Sequence, residues 1–303
     1  MEAAYVIGVD LGGTKILGGV VAQNGDIVRR VERPTPLAST EELVAAVDDL
    51  VDELLRPDVV AVGFGIPATI DQARGRAVTA PNLPLEEFPF RERMRRRIRL
   101  PVAIENDANA AAIGEWRFGA GRGFKNMVML TLGTGVGGGL ILDGRPYRGS
   151  VGAAAELGHI VVEHDGPPCQ GVCTGRGHLE TLASGTAAAR AARDLLGPGT
   201  DAHQLVEAAK GGNDGARAAL VAIGERLGSA IGSLINIFDP ELVVVGGGFG
   251  AAASDLVLGP ARQIMRREAL EPARDRVRVV EAELGREAGL VGAGLVAFET
   301  LDR

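Results

Sequence analysis

Twice in this chain an apolar run ends in a glycine–threonine turn and goes straight into a second apolar run. The first copy reads Tyr5 to Asp10, then Leu11-Gly12-Gly13-Thr14, then Ile16 to Val21. The second reads Met127 to Leu132, then Gly133-Thr134-Gly135, then Gly139 to Leu142. Short aliphatic runs bounded by glycine are strand signals. Two strand–turn–strand units predict a duplicated α/β architecture with a cleft between its halves. The copies are too diverged to be the period of a solenoid.

The segments between them fill in the same design. A turn at Asn24-Gly25-Asp26 leads into a strand from Ile27 to Val31. A helix begins at Ser39 or Thr40, with Glu41 and Glu42 in its first turn, where the helix dipole favours acids. Leu43, Val47, Leu50 and Leu54 then recur at helical spacing. Val59 to Ile66 reads as a strand closed by Gly65 and Pro67, Val102 to Ile104 as another, and a helix starts near Asp107. Farther on come a long helix around Arg217 to Phe238, a strand from Leu242 to Val245 and a last helix near Glu287 to Leu301. The expected domains are a first α/β lobe over residues 1–117 and a larger lobe over 118–287 with a metal-binding loop. The helix at about 288–303 is expected to pack back on the first lobe, with a hinge near Trp116 to Lys125.

Composition excludes several classes. The net charge of −7 offers no general attraction to nucleic acid or to anionic membranes, and 4% aromatics leave little to stack on bases. The arginine-rich run from Arg91 to Arg99 points all round a helix except at Met94 and Ile98, so it reads as a solvated amphipathic helix. No apolar run approaches the roughly 20 residues that span a bilayer, and no signal peptide is expected, since the N-terminus enters a strand pattern at once. Only Cys169 and Cys173 are present, which does not suit a disulfide-stapled secreted fold. A cytoplasmic enzyme is the expectation.

Three glycine-rich turns stand at strand ends: Asp10 to Thr14, Leu132 to Gly135, and Gly246-Gly247-Gly248-Phe249-Gly250. Glycine lets main-chain N–H groups approach phosphate oxygens, and threonine adds a hydroxyl. An acid at a strand end, such as Asp10, suits Mg²⁺ because hard cations take oxygen ligands. Residues 133–138 match G-x-G-x-x-G, but that fingerprint must open a helix and here a strand pattern follows. Lys15 follows Gly-Gly-Thr without the upstream glycine of a P-loop. Neither a dinucleotide-binding dehydrogenase nor a P-loop NTPase fits.

Two further clusters carry chemistry. Glu105-Asn106-Asp107 passes from a strand to a helix start, where Asp107 could take the proton of an attacking hydroxyl and Asn106 bond a neighbouring one. A plain N-cap accounts for the same pattern, and taken alone the triplet favours the cap. His159, Cys169, Cys173 and His178 form a Cys2His2 set within twenty residues, suited to tetrahedral zinc, although not at zinc-finger spacing. His164, beside Asp165, is a competing ligand in what reads as an exposed turn.

Together the segments DLGGTK, GFGIP, ENDANAAA, LGTGVGGG, AELGHI and CQGVCTGRGHLE resemble the ROK family of sugar kinases and repressors, its bacterial glucokinases above all. The resemblance runs from about Tyr5 to the C-terminus. It implies an actin-like ATPase (ribonuclease H-like) fold of two α/β lobes closing over sugar and nucleotide. It implies ATP-dependent phosphorylation of glucose at the 6-hydroxyl, with Asp107 as general base. Asn106, Glu156, His159 and Glu180 would then hold sugar hydroxyls, and the backbone at Gly65 would lie against the sugar. Asp10 would serve Mg²⁺. Gly12, Gly13, Thr14 and Lys15, with Gly133, Thr134 and Gly135, would meet the phosphates of ATP, and Gly247 and Gly248 the adenosine. His159, Cys169, Cys173 and His178 would hold a structural Zn²⁺.

The family's usual zinc motif, Cys-x-Cys-Gly-x-x-Gly-Cys-x-Glu, is altered here. Two more residues separate the first pair, giving Cys169-Gln170-Gly171-Val172-Cys173, and His178 replaces the last cysteine. Imidazole is a competent zinc ligand, so the ion is expected to be kept. Repressor members carry a helix-turn-helix ahead of the first strand, and the chain opens on that strand, so no nucleic-acid partner is expected. The other open readings are another hexose or N-acetylated amino sugar, a polyphosphate donor, and a catalytically silent sugar sensor. A homo-oligomer, dimer or tetramer, is expected.

Overall fold

The computed structural model describes residues 4–171 and 173–301. Expectations touching residues 1–3, Val172 and 302–303 lie outside the described residues. The chain divides into two compact units. One comprises the residues up to Arg122, Pro146–Ala155 and the residues from Arg286 on; the other comprises Gly123–Arg145 and Glu156–Gly285.

The first unit opens with β1 (Tyr5–Leu11), β2 (Lys15–Ala22) and β3 (Ile27–Pro34), an antiparallel meander joined by short turns. Helix α1 (Thr40–Leu54) is capped by the Ser39 hydroxyl, which accepts the Glu42 N–H at 3.1 Å. Its stripe of Leu43, Val47, Leu50 and Leu54 is wholly buried, each side chain contributing about 1.5–3 kcal/mol of apolar burial. β4 (Val59–Ile66) then runs parallel to β1. A small sheet of β5 (Thr69–Asp71), β6 (Arg76–Thr79) and β7 (Glu86–Phe88) follows.

In α2 (Phe90–Ile98), the arginine-rich helix, Met94 is buried, and Arg93 and Arg97 pair with Asp48 and Asp52 of α1. β8 (Val102–Asn106) joins the sheet parallel to β4 and leads without a loop into α3 (Asp107–Phe118). The strand order is β3-β2-β1-β4-β8. A helix of small and apolar residues, Ala288–Phe298, closes the unit against α3, β1 and β4. It comes so near that a Cβ on Gly292 would lie 1.7 Å from the Ala110 carbonyl oxygen.

The second unit repeats the arrangement. β9 (Met127–Leu132) and β10 (Val136–Leu142) pair antiparallel across the second glycine–threonine turn, and β11 (Arg145–Pro146) lies outside β10. α4 (Leu179–Ala183), α5 (Gly185–Leu196) and α6 (Ala202–Lys210) precede α7 (Asp214–Phe238). Then come β12 (Leu242–Gly246), α8 (Gly248–Glu268), α9 (Ala273–Arg276) and β13 (Arg278–Glu281). The order β11-β10-β9-β12-β13, with β12 parallel to both β9 and β13, matches that of the first sheet.

One expectation needs amending. α7, at 25 residues, is long and apolar enough by composition to cross a membrane, and 56% of its apolar window is buried inside the structure. Gly224 and Gly228 bring its backbone against Val257 and Ala261 of α8, where an added Cβ would lie 2.4 Å from either carbonyl oxygen. Such close packing is what a core helix requires.

Candidate active site

In the first unit, parallel pairing aligns the ends of three strands. Asp10 of β1 is registered with Gly65 of β4, and Gly65 with Glu105 of β8. One row across the sheet therefore carries an acid, a glycine and a second acid, just before α3 begins. Ligands gather at such carboxyl ends in open α/β sheets. Gly65 has no side chain to fill the row. A Cβ there would stand 3.6 Å from the Asp107 Cα and 3.8 Å from Asp10 Oδ1.

Asp10 keeps some solvent exposure, yet loss of water around its carboxyl, and then the charge of Asp107, raise its pKa from 3.8 to about 7. Two carboxylates that repel in a poorly solvated place are relieved by a divalent cation, and hard cations take such oxygens. The pair therefore fits Mg²⁺. Asn106 does cap α3: its Oδ1 accepts the Asn109 N–H at 3.0 Å, and its Nδ2 donates to the Ala68 carbonyl at 3.4 Å. Asp107 occupies the first helical position.

The first glycine turn is pinned at both ends. The Gly12 N–H donates to the Lys15 carbonyl at 2.9 Å, and the Thr35 hydroxyl and N–H donate to the Gly12 and Thr14 carbonyls. Gly13 and Thr14 form its tip. Lys15 extends its ammonium to Glu32 at 2.5 Å, so meeting a phosphate would require it to leave that partner.

In the second unit the Gly133–Gly135 turn is braced by the start of α5. The Gly185 N–H donates to the Gly133 carbonyl at 2.8 Å, and the Thr186 hydroxyl to the Thr134 carbonyl at 2.7 Å. Ser184, which caps α5, and Thr186 escaped the sequence reading. Their signal, Ser-Gly-Thr ahead of an alanine run, is an ordinary helix start. Gly247 opens α8 at φ +85°, with Leu132 so close that a Cβ would meet its backbone at 2.5 Å. A Cβ on Gly248 would meet nothing within 4 Å. Two helix N-termini thus stand by the end of β9, a setting that favours anions.

Glu180, in the first turn of α4, accepts the Val136 N–H at 3.1 Å. Glu156 is exposed as a residue, but its carboxyl is crowded enough that loss of water raises its pKa, opposed by His159 and reinforced by Glu180. Glu156, His159 and Glu180 thus form one electrostatic group.

His159, Cys169, Cys173 and His178 converge, with one ligand atom from each lying within 4.8 Å of all the others. The two Nδ1 atoms are 3.2 Å apart, Cys169 Sγ lies 3.6 Å from His159 Nδ1, and Cys173 Sγ lies 3.8 Å from His178 Nδ1. A tetrahedral zinc with its usual bond lengths spaces nitrogen and sulfur ligands roughly 3.3–3.8 Å apart. The four side chains fit that ion. Burial first, and then Cys173, push the Cys169 thiol up to about 11, a penalty that a coordinated cation reverses. His164 stands with Asp165 in the open, outside this group.

Two copies of one strand order, each folded at a glycine–threonine turn, define the actin-like ATPase two-lobe fold. The chain belongs to the ROK family, whose sequence profile matches residues 6–299. It is 37% identical to a glucokinase of Streptomyces coelicolor, with 97% of each chain covered. It is 36% identical to a glucokinase of Thermotoga maritima, with 99% of each covered. Its fold superposes with a TM-score of 0.87, at 38% identity, on the ROK family glucokinase of Streptomyces griseus solved with glucose and AMPPNP, covering 98% of this chain and 100% of that one.

Proposed function

We propose that this chain is a glucokinase that transfers the γ-phosphoryl group of ATP to the 6-hydroxyl of glucose. The observation that carries the reading is the strand-end row of Asp10 and Gly65 with Asp107 beside it. It supports the reading because two acids, which would serve as base and cation holder, stand beside a glycine whose missing side chain leaves only the Ala110 Cβ close by. The likeness to glucokinases over almost the whole chain supports the choice of sugar.

In this reading Asp107 takes the proton of the 6-hydroxyl as that oxygen attacks the γ-phosphorus in line. The new O–P bond forms as the bond to the bridging oxygen breaks, and ADP leaves with that electron pair. Bound Mg²⁺, held by Asp10, supplies neutralisation of the phosphate charge. Backbone N–H groups at Gly13 and Thr14 and in the Gly133–Gly135 turn meet phosphate oxygens, and Gly247 and Gly248 meet the adenosine. Asn106, Glu156, His159 and Glu180 recognise sugar hydroxyls, and Gly65 lies against the ring. With Nδ1 of His159 directed at the cysteines, its Nε2 is the nitrogen left for the sugar. His159, Cys169, Cys173 and His178 would hold the zinc, which would then supply shape rather than Lewis acidity. His159 would be oriented by that bond.

A Mg²⁺–ATP assay over a panel of sugars, read as ADP release, tests the reading. Turnover on glucose well above fructose, mannose, allose and N-acetylated amino sugars supports it. Preference for another sugar keeps the chemistry and moves the specificity. Turnover with polyphosphate alone moves the donor, and none with either donor leaves a silent sensor.

A further inference from the structure

Between Arg145 and Glu156 the chain leaves the second unit, packs ten residues on the first, Pro146–Ala155, and returns. The contacts of this strap are specific. Gly152, at φ +84°, lies so near the Ile70 carbonyl of β5 that a Cβ would stand 2.0 Å from its oxygen. The Ala154 N–H donates to the Arg148 carbonyl at 3.2 Å, closing a turn within the strap. Arg148 reaches inward, and its Nε donates to Glu105 Oε2 at 2.5 Å.

Glu105 is 1% exposed. Its other oxygen, Oε1, is within reach of the Asn106 N–H at 3.1 Å, Asn109 Nδ2 at 3.4 Å and Gln72 Nε2 at 3.5 Å. Asn106 and Asn109 frame the first turn of α3, which presents Asp107. One carboxylate thus ties the start of α3 to the strap, and among the described residues Arg148 is the cation that pairs with it. Burial pushes the Glu105 carboxyl up and Arg148 pulls it down.

A buried ion pair is a poor source of stability, since a hydrophobic replacement is often neutral or better. What such a pair can do is fix geometry. We propose that Arg148 is a positioning residue for the sugar site: its ion pair with Glu105 sets the first turn of α3, with Asn106 and Asp107, and anchors the strap that runs directly into Glu156. The inference rests on the roles proposed for Asp107 and Glu156.

The test is steady-state kinetics on the full chain, with glucose binding measured separately by calorimetry. Arg148→Gln raises the KM for glucose and lowers kcat, each about tenfold or more, and leaves the KM for ATP within about twofold of the parent. Arg148→Lys, which keeps the charge, recovers most of the glucose KM. Should Arg148→Gln fail to fold, the double variant Glu105→Gln/Arg148→Gln, which leaves no unpaired buried charge, shows the same split between the two KM values. The proposal is overturned if the folded variant keeps both parameters within twofold of the parent, or if glucose and ATP are weakened alike. Asp107→Ala run alongside separates the two claims. If Asp107→Ala retains full turnover, the base is wrong, while the calorimetric glucose affinity of Arg148→Gln still decides the role of Arg148.

Discussion

Glu180 accepts the main-chain N–H of Val136, the first residue after the Gly133–Gly135 turn, at 3.1 Å. A Cβ on Gly135 would lie 2.0 Å from the same carboxylate oxygen, so the turn keeps glycine where Glu180 presses on it. A residue assigned to a sugar hydroxyl is thus also a support of a turn assigned to phosphate.

The two duties come apart by substitution. Glu180→Gln keeps an acceptor for Val136 and loses the charge, so it should raise the KM for glucose alone. Glu180→Ala removes the acceptor as well and should raise both KM values, the ATP term by about tenfold, as losing a charge-assisted hydrogen bond does. Equal effects of the two variants on ATP would refute the second duty.

Asp10 gives a pH dependence of definite sign. Its folded pKa of about 7 lies above the ordinary 3.8. The native state therefore binds this proton more tightly than the unfolded chain does. The stability the protonated group allows is complete below about pH 4 and is lost as pH rises to about 7. Asp10→Asn removes the penalty, which is on the order of 4 kcal/mol if fully expressed. Without Mg²⁺ the variant should melt higher than the parent at pH 8 and alike at pH 4, while losing turnover. Melting curves at the two pH values check this, and a constant difference would remove Asp10 as the cause.

Asp107→Ala should lower kcat by about 10²–10⁴-fold, the usual cost of losing a general base. Calorimetry should find glucose affinity changed only a few-fold, because in the proposed reading Asp107 is one of several groups that would meet the sugar. Near-parental kcat would move the base elsewhere.

The metal group predicts a coupled loss. Elemental analysis should find about one zinc per chain, and Cys173→Ala should lose it with a clear drop in melting temperature. The KM for glucose should rise as His159 loses its anchor, with that for ATP unmoved. An unchanged melting curve in a zinc-free variant would end the structural role.

Much of the architecture can be read from local chemistry. The strands β1, β2, β9 and β10 follow from apolar runs broken by glycine, and α1 from a Ser39 cap and a helical stripe. The small sheet of β5–β7 stays hidden because its strands are three or four residues long, with Pro81 and Pro84 between the last two. α4 hides because it is only five residues long, and α5 behind a run of alanines. Residue type alone brings out the Cys2His2 group, but not which ring nitrogen each histidine turns to sulfur. Glu105 reads only as part of a triplet, since its partner lies 43 residues away and nothing local marks Arg148.

The Ala288–Phe298 helix has a consequence for synthesis of the chain. It lies against β1, β4 and α3, all made long before it, with backbone near backbone at Gly8, Gly63 and Gly114. A nascent polypeptide that has emerged only through α3 has Asp10, Gly65 and Asp107 in its sequence but no rear wall to hold their strands in line. The early sheet must wait, uncovered and prone to wrong partners, while the whole intervening unit is translated. Chemistry in this molecule should therefore switch on late, only once this helix has been made and has docked.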